Sequence, residues 1–373
     1  MTKLIKYLVI SDIHLGHRKN PTEDIIENLG IFFNQYQKRS DLDFIFIAGD
    51  LTDRLLDLSQ SASAMILLWC MDLLGFCQRS NIKLRILAGT PSHDWSQPKF
   101  FTSLTKAYDK LDAKYVSDLS IEIDTKTGLS ILYVPDEWRH STDKTLEEVH
   151  DLLKAKNLEK VDIAIMHGMF KYQSPVPGAK LPLHDEDSYL RIVKHYINIG
   201  HIHNFSTYSR IIAQGSFDRL AHGEENPKGA VEVNLFPDGS REFYFIENKH
   251  AKVFKTITLK SKDGEKATRE IEKHLKGIKP LSHIRIKCSK EHPIYIGFDE
   301  IRKQFTQFYL EKKSLEDKDN DNNDLVTPVA FSVDVFTPIT ITKDNIAKLL
   351  LDEIQSRTKL SAEQLLIFES AIK

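Results

Sequence analysis

Cysteine is scarce in this sequence, and long apolar runs are absent. The three cysteines, Cys70, Cys77 and Cys288, form no C-x-x-C pair, so we expect neither a disulfide framework nor a thiolate zinc site. The longest apolar stretch, residues 64–77, contains Asp72 and is too short to span a bilayer. The pattern G-x-x-x-x-G-K-[ST] does not occur, which excludes a P-loop ATPase of the chain's own.

Net charge is also small, because 51 Lys and Arg residues oppose 53 Asp and Glu residues to give a formal charge of −2. The overall charge therefore indicates neither a nucleic-acid nor a membrane partner. The basic residues at the start of the chain lead into an apolar run of strand length, residues 7–10, so no signal peptide is expected. We predict a soluble, cytoplasmic protein without a membrane partner.

Short apolar runs alternate with helical patterns in the first 200 residues. The runs are four or five residues long, are rich in β-branched residues and lie at residues 7–10, 44–48, 84–88, 131–134, 163–166 and 196–199. The helical patterns cover residues 22–39, 58–78, 99–111, 144–155 and 188–194. This alternation predicts an α/β layer architecture. Later runs at 210–213, 230–235 and 242–246 follow one another without helices and predict a hairpin-like sheet.

The charge distribution changes near residue 250. Residues 251–313 contain 16 Lys and Arg against 8 Asp and Glu, a net charge of +8. Strand, helix, strand and helix patterns follow one another at 253–259, 265–275, 284–288 and 299–310, and a polar tract at 314–324 precedes a further strand at 329–336. A small basic domain of this kind suits a phosphate backbone, although a solvated basic face without a binding role is the alternative.

Two short amphipathic patterns occupy the tail, at residues 344–356 and 362–372. Two small helices at a chain end need a surface to pack against. They either pack on their own domain or bind a partner.

Asp and His residues follow the apolar runs at the points where the predicted strands end. These residues are Asp12, His14, Asp50, His93, Asp94, His167, His201 and His203. Residues just past the carboxyl ends of strands converge in one crevice of an α/β sheet, so we expect a shared site. So many acidic and imidazole groups would repel one another and lose solvation unless cations lay between them.

The ligand types indicate which cations these would be. Imidazole and carboxylate without thiolate favour Mn, Fe or Zn over Ca. Asp12 and His14 are two residues apart, so on an extended backbone they point the same way and can bind one ion. Two cations about 3.5–4 Å apart suit hydrolysis of a phosphoester, and Asp50 is the natural bridge between them.

The set D-I-H, G-D, S-H-D, H-G and G-H-I-H resembles that of the calcineurin-like metallophosphoesterase superfamily. Residues 214–220 (QGSFDRL), 223–225 (GEE) and 228–229 (KG) further resemble the SbcD branch of DNA-break repair nucleases, whose relatives are the meiotic-recombination-eleven nucleases. The resemblance is close over residues 1–250 and only architectural afterwards. It implies an αββα sandwich nuclease domain at 1–250, a smaller α+β capping domain that binds DNA at 251–341, with its polar loop at 314–324, and an ATPase-binding helix pair at 342–373.

The resemblance implies a metal-dependent DNA exonuclease and endonuclease that acts in double-strand break processing, recombination and repair. The implied cofactor is a pair of divalent ions, Mn²⁺ first, with Mg²⁺, Fe²⁺ or Zn²⁺ as alternatives. The implied partners are DNA, an SMC-like coiled-coil ATPase of the SbcC type and a second copy of the chain, paired through helices 58–78 and 99–111. A protein phosphatase, a small-molecule phosphodiesterase and a non-catalytic scaffold on the same fold are alternatives.

Carried onto this sequence, the resemblance assigns Asp12, His14, Asp50 and His203 to one metal ion and Asp50, His167 and His201 to the other. His93 would lie over the leaving oxygen, Asp94 would support it, and Asp53 would lie beside the ligands. The family's G-N-H-D loop is here G-T-P-S-H-D, two residues longer. Ser92 occupies the place of that Asn, and we expect its hydroxyl to coordinate weakly or to hold a coordinated water.

Overall fold

A computed structural model describes residues 3–37, 41–57, 61–108, 110–136, 141–174 and 182–317 of the chain. The strands are β1 (Ile5–Ile10), β2 (Phe44–Ala48), β3 (Lys83–Leu87), β4 (Ala113–Val116), β5 (Ser120–Ile123), β6 (Ser130–Val134), β7 (Ile163–His167), β8 (Met169–Phe170), β9 (Leu183–His184), β10 (Ile197–Gly200), β11 (Ser206–Tyr208), β12 (Ile211–Ala213), β13 (Gly229–Leu235), β14 (Arg241–Glu247), β15 (Phe254–Thr258), β16 (His283–Cys288) and β17 (Tyr309–Ser314). The α-helices are α1 (Thr22–Gln37), α2 (Ser61–Ser80), α3 (Pro91–Asp94), α4 (Phe100–Leu104), α5 (Thr142–Ala155), α6 (Glu186–Ile192), α7 (Gly264–Leu275), α8 (Pro293–Ile296) and α9 (Phe298–Gln304). The strand expected at 329–336 and the helix pair expected at 342–373 lie outside the described residues.

Two six-stranded sheets form the centre of the larger domain. The strand orders are β14-β13-β1-β2-β3-β4 and β11-β12-β10-β7-β6-β5. Successive side chains of β1 point to opposite faces. Tyr7 and Val9 therefore pack in the cluster between the sheets, whereas Leu8 and Ile10 pack beneath the helices.

Helices cover the outer face of each sheet. Helices α1 and α2 pack Leu29 and Leu74 onto the first sheet, and α5 and α6 pack Val149 and Tyr189 onto the second. Side chains fix where two of these helices begin, because Ser141 accepts a hydrogen bond from the N–H of Asp143 in α5 and Asp185 accepts one from the N–H of Ser188 in α6. The αββα sandwich expected for this domain is confirmed.

Helix α2 is long and apolar enough to cross a membrane when only its length and composition are considered. Half of its most apolar window is buried inside the protein, where Ile66, Leu73 and Leu74 pack in the core beneath the first sheet. One face of α2 is therefore part of the core, and the opposite face is exposed.

The basic segment forms a separate three-stranded parallel sheet in the order β15-β16-β17. Helices α7, α8 and α9 pack on it around Ile271, Ile284 and Phe298. The helix predicted at 299–310 is wrong in its second half, because α9 ends at Gln304 and Tyr309–Ser314 is a strand. In that strand only Leu310 is a buried apolar residue, so the strand is specified by pairing with β16 and not by its own pattern.

One more predicted helix differs from the structure. The pattern at 99–111 predicts a continuous helix, but α4 is only five residues long and is flanked by single 3₁₀ turns at Gln97–Lys99 and Thr105–Ala107.

Candidate metal centre

Strand ends from both sheets supply the predicted site residues. Strands β1, β2 and β3 belong to the first sheet, and β7 and β10 belong to the second. The loop after β1 runs alongside the loop after β2, because the N–H of Asp12 donates to the carbonyl of Gly49 (3.2 Å) and that of His14 donates to the carbonyl of Asp50 (3.1 Å). The two loops thereby place their acidic and imidazole side chains in one pocket.

The backbone is strained where these side chains emerge. Asp12, His14, Asp50 and His201 have φ values of 50°, 52°, 48° and 99°, in the left-handed region that residues with a Cβ rarely adopt. Such strain costs about 1–3 kcal/mol per residue and persists only when the surroundings enforce it. The carboxylate of Asp12 provides part of this enforcement by accepting a hydrogen bond from the N–H of His201 (3.0 Å).

Two glycines allow the loops to approach this closely. A Cβ at Gly49 would lie 2.1 Å from Nδ1 of His167, and a Cβ at Gly89 would lie 2.0 Å from the backbone nitrogen of Asp50. Only a residue without a side chain fits at either position.

Asp12, His14 and His203 form the first cluster. All three are buried, and their potential ligand atoms lie within 4.8 Å of one another. Nε2 of His203 is 3.9 Å from Oδ1 of Asp12, and the rings of His14 and His203 are 5.1 Å apart. A single cation fits a set of this composition and spacing.

Asp50, His167 and His201 form the second cluster. Oδ2 of Asp50 lies 3.3 Å from Nε2 of His167 and 3.8 Å from Nε2 of His14, which belongs to the first cluster. Asp50 thus lies between the two clusters, at the position expected of a bridging carboxylate.

His93 and Asp53 lie at the edge of the first cluster. The ring of His93 is 4.9 Å from that of His14, and its Nδ1 donates to the backbone carbonyl of Asp53 (3.0 Å). The carboxylate of Asp53 accepts a hydrogen bond from Nδ1 of His14 (3.0 Å). The side chain of His93 is 26% exposed, so a substrate can reach it.

Asp94 holds the loops after β2 and β3 together by hydrogen bonds. Its two carboxylate oxygens accept hydrogen bonds from the N–H groups of Gly89 (2.8 Å) and Thr52 (3.0 Å). It therefore joins the loop after β3 to the loop after β2.

Ser92 is exposed on α3, and the hydroxyl that reaches the second cluster belongs to Thr90. Oγ1 of Thr90 lies 3.3 Å from Oδ2 of Asp50, 3.4 Å from Nε2 of His167 and 3.4 Å from Nδ1 of His201. Sequence reasoning missed Thr90 because it counted back from His93. Counting forward from Gly89 finds it, since Thr90 follows that glycine directly.

Sequence reasoning also missed Glu224 and Lys228, which lie behind His203. Oε1 of Glu224 accepts a hydrogen bond from Nδ1 of His203 (2.8 Å), and Nζ of Lys228 lies 2.9 Å from Oε2 of Glu224. The only sequence signal was their position in the segments at 223–225 and 228–229, to which no role was given.

Charge interactions in the pocket are strong. Burial alone would lower the pKa of His14 and of His167, but the carboxylates of Asp53 and Asp50 raise these values to about 9 and about 10. Burial would also raise the pKa of Asp50, but His167 and His14 hold it well below its usual range. Burial, together with the positive charge of His167, lowers the pKa of His201 to about 4.

The donor set fits divalent cations. The Nδ1 atoms of His14, His167 and His203 bond to Asp53, to the carbonyl of Ala48 (2.8 Å) and to Glu224, so their Nε2 atoms face the pocket. Nε2 of His14 is buried and has no hydrogen-bond partner among the described residues. A buried ring nitrogen that faces carboxylates without such a partner is the arrangement that a metal ion satisfies.

The comparison with protein families agrees with this fold. A family model described as calcineurin-like phosphoesterase matches residues 5–205. Among solved structures, TT1561 of Thermus thermophilus is 10% identical, with 66% of this chain and 100% of that chain covered and a TM-score of 0.40. GAP50, described as the anchor in the inner membrane complex of Plasmodium, is 14% identical, with 72% and 94% covered and a TM-score of 0.39. A search of curated proteins gave no match.

Proposed function

The chain belongs to the calcineurin-like phosphoesterase family, and from this premise we propose that it is a two-metal phosphodiesterase that cleaves DNA. The observation that carries the proposal is the position of Asp50, a buried carboxylate 3.8 Å from His14 in one cluster and 3.3 Å from His167 in the other. A bridging carboxylate between two sets of imidazole and carboxylate ligands is typical of centres that hydrolyse phosphoesters.

The ligands suit a pair of divalent ions, for which we propose Mn²⁺ first, with Mg²⁺, Fe²⁺ or Zn²⁺ as alternatives. Bound ions would supply positive charge that polarises a phosphoryl oxygen and lowers the pKa of a water molecule. Asp12, His14, Asp50 and His203 would hold one ion. Asp50, His167 and His201 would hold the other, with the hydroxyl of Thr90 beside them.

His93 would supply the proton that the leaving oxygen requires. Since its Nδ1 donates to the carbonyl of Asp53, Nε2 is the nitrogen left to exchange a proton with a substrate. Asp53 holds His93 through this carbonyl and His14 through its carboxylate, so it positions both rings.

DNA is the proposed substrate because the basic domain contacts the segment at residues 214–229, which lies behind the metal ligand His203. The guanidinium of Arg219 donates to the carbonyls of Ala251 and Lys252 (3.3 and 3.1 Å), where the basic domain begins. Exposed lysines lie on helix α7 of that domain and directly after it, at Lys266, Lys273 and Lys276. Cations of this kind on a domain beside the centre suit a phosphate backbone.

We propose the partners that the resemblance implies, together with the cytoplasmic location predicted from the sequence. These are an SMC-like ATPase of the SbcC type, bound through residues 342–373, and a second copy of the chain, in the cytoplasm. Support for the second copy comes from α2, which exposes Leu68 (63%) and Met71 (40%) on its outer face. Light scattering of the wild type and of Leu68→Glu tests this contact, and an unchanged mass in the variant would reject it.

Hydrolysis of linear DNA in the presence of each candidate metal ion tests the proposed activity. We expect His93→Asn to slow cleavage by about 10²–10⁴-fold, because it removes the proton donor. His150→Asn, which changes an exposed histidine of α5, should cleave as the wild type does. The assays should be run with and without a candidate ATPase and ATP.

Three outcomes would contradict parts of the proposal. Wild-type cleavage by His93→Asn would reject the role of His93. Turnover of a phosphoprotein or of a small phosphodiester without DNA cleavage would favour the alternative substrates. Absence of stoichiometric metal from the purified protein would favour a non-catalytic scaffold.

A further inference from the structure

Glu224 and Lys228 lie in the interior behind the metal ligand His203. Lys228 is 1% exposed, although it carries an ammonium group. Its Nζ donates to the carbonyl of His203 (2.7 Å) and lies 2.9 Å from Oε2 of Glu224. The other oxygen of Glu224 accepts the hydrogen bond from Nδ1 of His203 (2.8 Å). The two residues therefore hold both the backbone and the ring of His203.

We infer that Glu224 is a positioning residue for the first metal ion, and that it acts by fixing the ring and the tautomer of His203, with Lys228 as its anchor. This inference rests on the metal centre of the proposed function. It goes further in assigning a role to two residues outside the ligand set.

The tautomer follows from the chemistry of the pair. An ionised carboxylate only accepts hydrogen bonds, so Nδ1 of His203 must carry the proton. The proton on Nδ1 leaves the lone pair on Nε2, which points toward Asp12 at 3.9 Å. A negative charge on the far side of the ring also makes Nε2 a stronger donor to a cation.

Lys228 explains why Glu224 keeps one orientation. Oε2 of Glu224 accepts from Nζ of Lys228 and from the N–H of Leu220 (3.2 Å). The carboxylate therefore has one oxygen fixed by two donors and one oxygen left for His203. Such a buried polar group is held rigidly only when its partners are complete, as they are here.

The neighbouring residue, Glu225, offers a matched control. It has the same charge, is exposed, and accepts a hydrogen bond from the N–H of Thr256 in the basic domain (3.3 Å). A substitution at Glu225 removes a carboxylate from the same loop without touching the bond to His203.

Calorimetric titration of the metal-free full-length protein with Mn²⁺ tests the inference without any substrate. We expect Glu224→Ala to weaken one of two binding events by about 10–100-fold and to leave the other within a few-fold of the wild type. Glu224→Gln keeps an acceptor for Nδ1 but loses the charge, so it should recover part of the affinity. Glu225→Ala should bind as the wild type does.

The absorption spectrum of bound Co²⁺ gives a second readout, because it reports on the ligands of the ion and not on the stability of the fold. We expect Glu224→Ala to change the spectrum and Glu225→Ala to leave it unchanged. If Glu224→Ala does not fold, the same comparison between Glu224→Gln and Glu225→Gln decides the question. Binding and a spectrum equal to the wild type in a folded Glu224 variant would overturn the inference alone, whereas a wild type that binds no metal would overturn the proposed function as well.

Discussion

At the residue scale, Thr90 and Asp50 contact each other within the second cluster of the candidate metal centre. The N–H of Thr90 donates to Oδ1 of Asp50 (2.6 Å), and its hydroxyl lies 3.3 Å from Oδ2. The same hydroxyl lies 3.4 Å from His167 and from His201. Thr90 therefore contacts every member of its cluster, which Ser92, exposed on α3, does not match.

Removal of this hydroxyl should weaken the second metal site. We expect Thr90→Ala to lower the affinity for metal, or the rate of hydrolysis, by about 10–100-fold, since groups that contact ligands have effects of this size. Ser92→Ala is the control and should leave both unchanged. Metal titration and a hydrolysis assay measure the two effects. A loss in Ser92→Ala and none in Thr90→Ala would restore the role first expected for Ser92.

Site residues could be predicted from the sequence where they directly follow a recognisable strand. Six of the predicted ligands each follow an apolar run, and the structure brings them together: Asp12, His14, Asp50, His167, His201 and His203. Thr90 was not predicted, because the two extra residues Pro91 and Ser92 separate it from His93. Glu224 was not predicted either, because only the tertiary fold brings this loop residue back to His203.

Arg85 and Glu122 join the two sheets at the element scale. Arg85 lies on β3 of the first sheet, and Glu122 lies on β5 of the second. Nε and Nη2 of Arg85 donate to the two oxygens of Glu122 (2.8 and 2.7 Å), and the hydroxyl of Tyr133 on β6 also donates to Glu122 (2.9 Å). The guanidinium is only 1% exposed, so it depends on its two carboxylate partners, Glu122 and Asp112 (2.8 Å).

Glu122→Gln should therefore lower the free energy of unfolding and make that free energy depend less on pH in the acid range. Burial alone would raise the pKa of Glu122, but the hydrogen bonds from Arg85 and Lys114 lower it from 4.5 to about 2. The contribution is complete above pH 4.5 and is lost as the pH falls toward 2. We expect the variant to lose about 1–3 kcal/mol of unfolding free energy at pH 7 and to respond less to acid than the wild type in that range.

Denaturant unfolding at a series of pH values measures both effects. Glu159→Gln, a change at an exposed position, should follow the wild-type curve. A Glu122→Gln curve that stays parallel to the wild type through the acid range would contradict this account of the pair.

Strands could be predicted from the sequence when most of their side chains are buried. The strands β1, β2, β3, β7 and β10 are largely buried, and they lie within two residues of their predicted bounds. The strands β4, β11 and β17 carry few buried side chains, and the sequence did not reveal them as strands. They lie at the edges of their sheets, so pairing with a single neighbour decides their conformation.

Metal binding and folding are linked at the scale of the whole molecule. The two clusters bring carboxylates and imidazoles together from both sheets, so an ion would bind the folded chain and not the unfolded one. An ion at about 100 times its dissociation constant adds about 2.7 kcal/mol to the unfolding free energy. We expect Mn²⁺ to raise the melting temperature of the protein and a chelator to reverse the rise.

Calorimetric melting with Mn²⁺ and with chelator measures this stabilisation. Asp50→Asn should lose most of the rise, because Asp50 lies between the two clusters and is the carboxylate proposed to bridge the two ions. Asp151→Asn, at an exposed position on α5, should keep it. An equal rise in Asp50→Asn and the wild type would show that the ions bind elsewhere.

Under the proposed function, the uneven charge of the chain makes the basic domain the surface expected to bind DNA. Residues 251–313 have a net charge of +8 in a chain whose formal charge is −2. Exposed cations in this domain should therefore dominate the salt dependence of binding.

The double variant Lys273→Glu and Lys276→Glu should bind DNA more weakly, and the slope of log K against log salt should decrease in magnitude by about 0.9 for each phosphate that the domain no longer neutralises. The double variant Lys156→Glu and Lys160→Glu changes the overall charge equally at exposed positions of the larger domain and should retain the wild-type slope. Equal slopes for both double variants would mean that net charge, and not the basic domain, governs DNA binding.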